Sequence, residues 1–319
     1  MEKINLDKFA KLLPIIGVIL FFYIIIDIGI EKISGAFLSI PLQIYVISLI
    51  LSIPRLFVFV YKWQFICKKQ KMNVGFWYLT KIFMVSLFYG SVTPGGIGWH
   101  IRIFYLKGKS KASLAKCIAN SLIDSATGFG AGLMLALFGS LLLIDYFPGL
   151  FPTLLAVFAL HISVFIIFMK KERGNKIFKI LIRPLIPGRY REYTDKSVIS
   201  LYEDLPRFRD MIFPILLELV VWTIAGTQTY IIALAFSIDI PYITFMLISV
   251  VAVVVSNVLP ISIGGLGVRE GAFVVLLAAF GVQPQTAFVI SLSGFLVKVL
   301  LPGLVGLPIS LKLPLKTTD

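Results

Sequence analysis

The stretch Ser256 to Gly271, SNVLPISIGGLGVREG, decides how this chain is read. An apolar run of helical length stops at Pro260, passes through Gly264, Gly265 and Gly267, and restarts with Arg269 and Glu270 side by side. Proline removes a backbone donor and glycine admits conformations closed to other residues, so one continuous helix is broken here. Charges this close to hydrocarbon are costly and face a protein interior or a water-filled cavity rather than lipid.

A second copy, SLFYGSVTPGGIGWHIR, runs from Ser86 to Arg102. Its Pro94, Gly95, Gly96, Gly98 and Arg102 repeat the same order, again after an apolar segment of helical length. Paired broken helices are the mark of transporters built from internal repeats, with the substrate held at the breaks.

Composition sets the solvent. Of 319 residues, 58% are apolar and 14% charged, and the mean hydropathy is +0.96. These values fit an all-α, polytopic membrane protein. The net charge of +14 follows from lysines and arginines gathered in loops on one membrane face, so no nucleic-acid partner is expected. Two cysteines, Cys67 and Cys117, and two histidines, His100 and His161, give no disulfide framework or metal-ligand spacing, so no metal and no cofactor are expected. A nucleophile triad, a P-loop and an acyltransferase motif are all missing, so an enzyme is not expected.

The apolar runs predict helices over about 12–30, 40–66, 76–92, 112–144, 151–169, 211–238, 242–259 and 286–311, with short pieces after each glycine loop. The segments 176–182 and 194–208 read as amphipathic interface helices. Lys3, Lys8 and Lys11 place the N-terminus in the cytoplasm, Asp27, Glu31 and Lys32 form an outer loop, and Lys62, Lys68, Lys69 and Lys71 form an inner one. Lys107 to Lys116 return to the inner face, as do the basic loop 170–210 and the tail with Lys312 and Lys316. The segment 76–106 must then enter and leave by one face, and 242–280 by the other.

The expected fold is therefore two inverted repeats of helix, helix, re-entrant hairpin and helix. Residues 1–145 form the first and 146–319 the second, with six full spans, two hairpins and cytoplasmic termini. The competing count, in which every apolar run spans, leaves Lys107 to Lys116 on the outer face.

The short helices begin near Gly98 and Gly267, where free N–H groups and the positive dipole end favour an anion. Arginine suits phosphate through bidentate bonds. The candidate substrate-binding residues are Pro94, Gly95, Gly96, Gly98, His100 and Arg102 in one copy. In the other they are Pro260, Gly264, Gly265, Gly267, Arg269 and Glu270. The bland alternative gives the glycines to tight turns and the arginines to snorkelling. Arg55, Asp124, Glu218 and Lys298 are further intramembrane charges and form a candidate charge or proton relay, with Asp124 facing Arg102 and Glu218 facing Lys298 or Arg269. His161 reads as a hydrogen-bonded interior residue, and Gly128, Gly130, Gly132, Gly303 and Gly306 as sites of close helix packing.

At Leu259-Pro260 and Gly264-Gly265-Leu266-Gly267-Val268-Arg269-Glu270-Gly271, and more loosely at Pro94 to Gly98 with Arg102, the chain resembles the membrane region of the lysylphosphatidylglycerol synthase family, the flippase-like integral membrane proteins. The resemblance implies movement of phospholipids or polyprenyl-phosphate-linked lipids between leaflets of the cell membrane, with an anionic lipid as partner. It implies no synthase domain here. A homo-oligomer or a lipid-modifying enzyme is a candidate association. A transporter of a small soluble anion, or a non-transporting subunit of a lipid-modifying or glycosyltransferase complex, is the alternative.

Overall fold

A computed structural model describes residues 19–93, 95–185, 188–259 and 264–313. Pro94 and Pro260, the lysines at 3, 8, 11 and 316, and the start of the first helix lie outside the described residues. The described elements are all helical. In a membrane, helices satisfy most of their backbone groups within their own segment.

Among the described residues, five helices are long and apolar enough to cross a membrane. The first, Leu42–Lys69, is interrupted at Leu51 into α3 (Leu42–Ile50) and α4 (Ser52–Lys69). Pro54 follows in the first turn of α4, where its missing N–H weakens the ladder. The others are α7 (Leu114–Leu142), α8 (Leu150–Met169), α11 (Ile212–Ala233, with 3-10 turns at both ends) and the run Pro284–Lys312. That last run comprises α14 (Pro284–Phe295), a π-turn over Leu296–Leu300, and α15 (Leu301–Lys312). These are five of the six expected spans.

The sixth expected span differs at its end. The helix α1 (19–28) stops at Gly29, whose φ is 95°, and α2 (Ile30–Leu38) resumes at once. Glu31 and Lys32, read above as loop, lie on α2 and are exposed.

Two shorter apolar helices, α5 (Phe76–Val92) and α12 (Tyr242–Val258), lead into the glycine loops. Each loop is followed by a short helix: α6 (Arg102–Ser110), after a 3-10 turn over Ile97–Ile101, and α13 (Val268–Ala278).

The packing is reciprocal. The helix α5 lies against α15, and α12 lies against α7. In the same way α2 packs on α14 and α8 on α7, while α4 and α11 meet each other. Glycines permit two of these crossings. A Cβ at Gly306 of α15 would lie 2.0 Å from the Met84 carbonyl oxygen, and one at Gly139 of α7 would lie 2.8 Å from the Val251 side chain. Small residues at helix crossings let backbones approach, which is where membrane helices gain packing contacts.

Ion pairs tie the polar segments to one end of the molecule. Lys69 meets Asp210 at 2.8 Å, while Lys71 and Lys116 share Asp204 at 2.5 and 2.7 Å. Ser113, the N-cap of α7, bonds Ser200 of α10 (Gly188–Leu201) at 2.5 Å. The start of α5 and the end of α6 therefore both sit where α10 docks. At the opposite end, Tyr242 at the start of α12 packs on Tyr230, and Phe280, just past α13, packs on Tyr146.

Candidate binding cavity

The second glycine loop reaches the last turn of α5, just before the first loop. Gly264 has φ +57°, a left-handed conformation, and a Cβ there would come within 2.9 Å of the Ser91 carbonyl oxygen. Glycine satisfies both demands, since it has no side chain to clash and tolerates positive φ.

The second loop is clasped by its own charged pair. Glu270 Oε2 accepts the Gly267 N–H at 2.7 Å, capping α13. Its Oε1 takes Arg269 Nε at 3.0 Å and Nη2 at 2.5 Å, and Ser291 Oγ at 3.3 Å. Arg269 Nη1 reaches back to the Gly264 carbonyl at 3.0 Å, and the guanidinium lies over Phe295, 4.2 Å from the ring centre. The N–H at Gly267, expected to await an anion, is thus already bonded. In the first loop the Gly98 N–H is taken by Thr93 Oγ1 at 2.8 Å.

The arginine of the first loop does different work. Arg102 is buried and turned toward α7, with Nη1 2.5 Å from Asp124 Oδ2, Nε 3.0 Å from Ser121 Oγ and Nη2 3.1 Å from Ser125 Oγ. His100 Nδ1 bonds the same Ser121 hydroxyl at 2.9 Å. The expected Asp124–Arg102 pair is present.

Glu218 has a partner that the sequence reading placed elsewhere. Lys62, taken above as a loop lysine, is fully buried on α4 and bridges Glu218 Oε2 at 2.5 Å and Asp124 Oδ1 at 2.8 Å. It follows Arg55 by seven residues and so shares its helix face, the one signal that could have placed it in the interior. Glu218 thus pairs with Lys62 rather than with Lys298 or Arg269. Removing one member of such a network leaves a buried charge uncompensated, at a cost of about 3–5 kcal/mol.

Beside this network is a cavity of about 560 Å³. Arg55, Lys298, Arg269 and Glu218 line it, and much of its remaining wall is apolar, from α3, α4, α5, α11 and α15. Lys298 lies on the π-turn, and Pro302, four residues on, leaves the Lys298 carbonyl without its helical donor. Arg55 donates to that carbonyl, and Ser52 Oγ donates to Val297 O at 3.1 Å. Lys298 Nζ donates to Thr229 Oγ1 at 2.6 Å. Among the described residues, neither Arg55 nor Lys298 has a carboxylate within ion-pair distance. The lining residues Ile50, Ile53, Leu301 and Val305 are exposed, so the cavity opens sideways between α3–α4 and α15.

The candidate residues therefore separate into groups. Arg55, Lys298, Arg269 and Glu218 share the cavity; Arg102, Asp124 and His100 form an adjoining internal cluster; Gly264 and Glu270 shape the second loop. Trp99, Ser291 and Phe295 also line the cavity and had no distinguishing sequence signal. His161 bonds the Ala126 carbonyl at 3.0 Å, as an interior histidine should. Cys67 and Cys117 are buried free thiols, and the described residues contain no cluster of metal-ligating side chains.

A family profile described as the lysylphosphatidylglycerol synthase TM region matches residues 10–306. A UPF0104 membrane protein of Methanothermobacter thermautotrophicus is 20% identical over 87% of this chain and 88% of its own length. Another, from Methanocaldococcus jannaschii, is 22% identical over 96% of this chain and 95% of its own. With the five spans and the paired glycine loops, the match over nearly the whole chain establishes that this integral, multi-pass membrane protein belongs to the lysylphosphatidylglycerol synthase transmembrane-region family.

Proposed function

We propose that the protein is a lipid transporter that carries the phosphate headgroup of an anionic lipid between leaflets of the cell membrane. The observation that carries this reading is a single cavity with cations at its wall, apolar surface beside them and a sideways opening between helices. A soluble anion needs the cations but not the apolar mouth. A lipid needs both, because its chains must stay in hydrocarbon while the headgroup enters a polar site.

The fold supports an inverted-repeat mechanism. Exchanging the first four-element unit for the second maps α5 against α15 onto α12 against α7, and α2 against α14 onto α8 against α7. In this reading α5–α6 and α12–α13 are re-entrant hairpins entering from opposite faces. The docking of both ends of the first at the polar α10 end, and of the second at the other, supports it. Non-helical backbone at membrane depth is tolerated where protein covers it or a wet cavity adjoins it. The end bearing Lys69, Lys71 and Lys116 is then the cytoplasmic one.

Within the cavity, Arg55, Lys298 and Arg269 bind the phosphate, while Glu218 with Lys62 and Asp124 balances charge behind them. The test is leaflet exchange of a fluorescent anionic phospholipid in proteoliposomes. Exchange well above that of protein-free vesicles supports the reading, and exchange at the protein-free rate opposes it.

A further inference from the structure

Charge balance around the cavity narrows the class of lipid. Among the described residues, five buried or half-buried cations stand in and behind its wall: Arg55, Lys62, Arg102, Arg269 and Lys298. Three carboxylates oppose them, Asp124, Glu218 and Glu270. Each carboxylate is already engaged, Asp124 by Lys62 and Arg102, Glu218 by Lys62, and Glu270 by Arg269. Two positive charges remain over, matching the two cations that have no carboxylate within ion-pair distance, Arg55 and Lys298.

Their donors are also left over. An ammonium has three N–H groups and a guanidinium five. Among the described residues, Lys298 uses one on Thr229 and Arg55 one on the Lys298 carbonyl. Arg55, Arg269 and Lys298 all line this one cavity, so like charges face it together. An isolated charge in a low-dielectric setting is strongly disfavoured, and a ligand of opposite charge relieves it while keeping every donor in place.

We infer that the cavity is matched to a lipid whose headgroup ends in a phosphomonoester carrying about two negative charges, rather than a phosphodiester carrying one. This rests on the lipid-transport reading above. A phosphomonoester carries about −1.5 to −2 at neutral pH and presents three acceptor oxygens. Arg55 and Lys298 offer donors for two of those oxygens, and Arg269 stands on the cavity wall beside them. Capping one oxygen, as a diester does, removes both a charge and an acceptor.

The experiment compares phosphatidic acid with phosphatidylmethanol of the same chains, in which one phosphate oxygen carries a methyl group. Dissociation constants are measured on the purified protein in detergent at pH 7.5, alongside inorganic pyrophosphate. Phosphatidic acid should bind about tenfold tighter than phosphatidylmethanol, the scale expected when a buried charge goes unmatched. The preference should fall to about threefold or less in Lys298→Gln and in Arg55→Gln, each of which removes one charge and keeps a donor. Equal binding of the two lipids, or a preference unchanged in both variants, overturns the inference while leaving lipid transport standing. Pyrophosphate binding as tightly as phosphatidic acid would make this a site for a soluble anion and overturn it. Failure of both lipids to bind overturns the transport reading and this inference with it.

Discussion

Arg55 donates a hydrogen bond to the main-chain carbonyl of Lys298, the carbonyl that Pro302 leaves without a helical donor. One arginine thereby stitches the interrupted helix α3–α4 to the π-turned run α14–α15 and sets a second cation beside its own. π-Turns inside α-helices frequently mark functional sites. Here the turn carries the lysine that lines the cavity.

Arg55→Leu should therefore destabilise the protein as well as weaken anion binding. An unsatisfied buried carbonyl costs about 1–3 kcal/mol. Thermal unfolding in detergent should show a lower midpoint for Arg55→Leu than for Arg55→Gln, whose amide can still donate. Equal midpoints would remove the stitching role.

The Lys62 bridge predicts strong coupling between helices. Lys62→Leu strands Glu218 and partly strands Asp124, with an expected loss of about 3–5 kcal/mol. Adding Glu218→Leu should recover much of it, because Asp124 keeps Arg102. A double-mutant cycle read by unfolding checks this, and additive losses would mean that the two residues do not interact.

Helix crossings give a purely steric prediction. Gly306→Ala would place a Cβ 2.0 Å from the Met84 carbonyl oxygen, whereas at Gly149 there is open space. Gly306→Ala should cost about 1–3 kcal/mol by forcing α5 and α15 apart, and Gly149→Ala close to nothing. Unfolding midpoints of the two variants decide it.

At the polar end, hydrogen bonds from Lys116 and Lys71 hold the Asp204 carboxyl below the ordinary carboxylate range. A lowered folded pKa means that this tie is fully present above the unfolded value, about 3.9 for aspartate, and is lost as pH falls through the folded one. Hydrogen-exchange protection factors in 188–201, which correct for the intrinsic slowing of exchange in acid, should stay high near neutral pH and fall below about pH 4. Asp204→Asn should show lower protection already at neutral pH, and that protection should respond less to acid.

Much of this was legible in the sequence, and for physical reasons. Hydrocarbon thickness fixes helix length, so 151–169 was read to within a residue of α8 (Leu150–Met169). The paired Gly-Gly-x-Gly loops, each with a proline shortly before it, announced themselves because glycine is the residue best suited to backbone that leaves a helix. The α1–α2 boundary was harder, since Gly29 turns the chain without a polar break and Glu31 and Lys32 mimic a loop. Lys62 was missed because a lysine close to Lys68, Lys69 and Lys71 looks like an interfacial one, and partner residues on other helices leave no local trace. Nor could spacing alone tell that Arg269 would line the cavity while Arg102 turned to Asp124.

The central claim is that Arg55 and Lys298 bind a lipid phosphate during transport. Leaflet exchange of a fluorescent phosphatidic acid, measured in proteoliposomes holding wild type or the Arg55→Gln/Lys298→Gln variant at equal density, tests it most directly. The account predicts at least about a tenfold slower exchange for a variant whose unfolding midpoint stays near that of wild type. Exchange at the wild-type rate by that folded variant would contradict it.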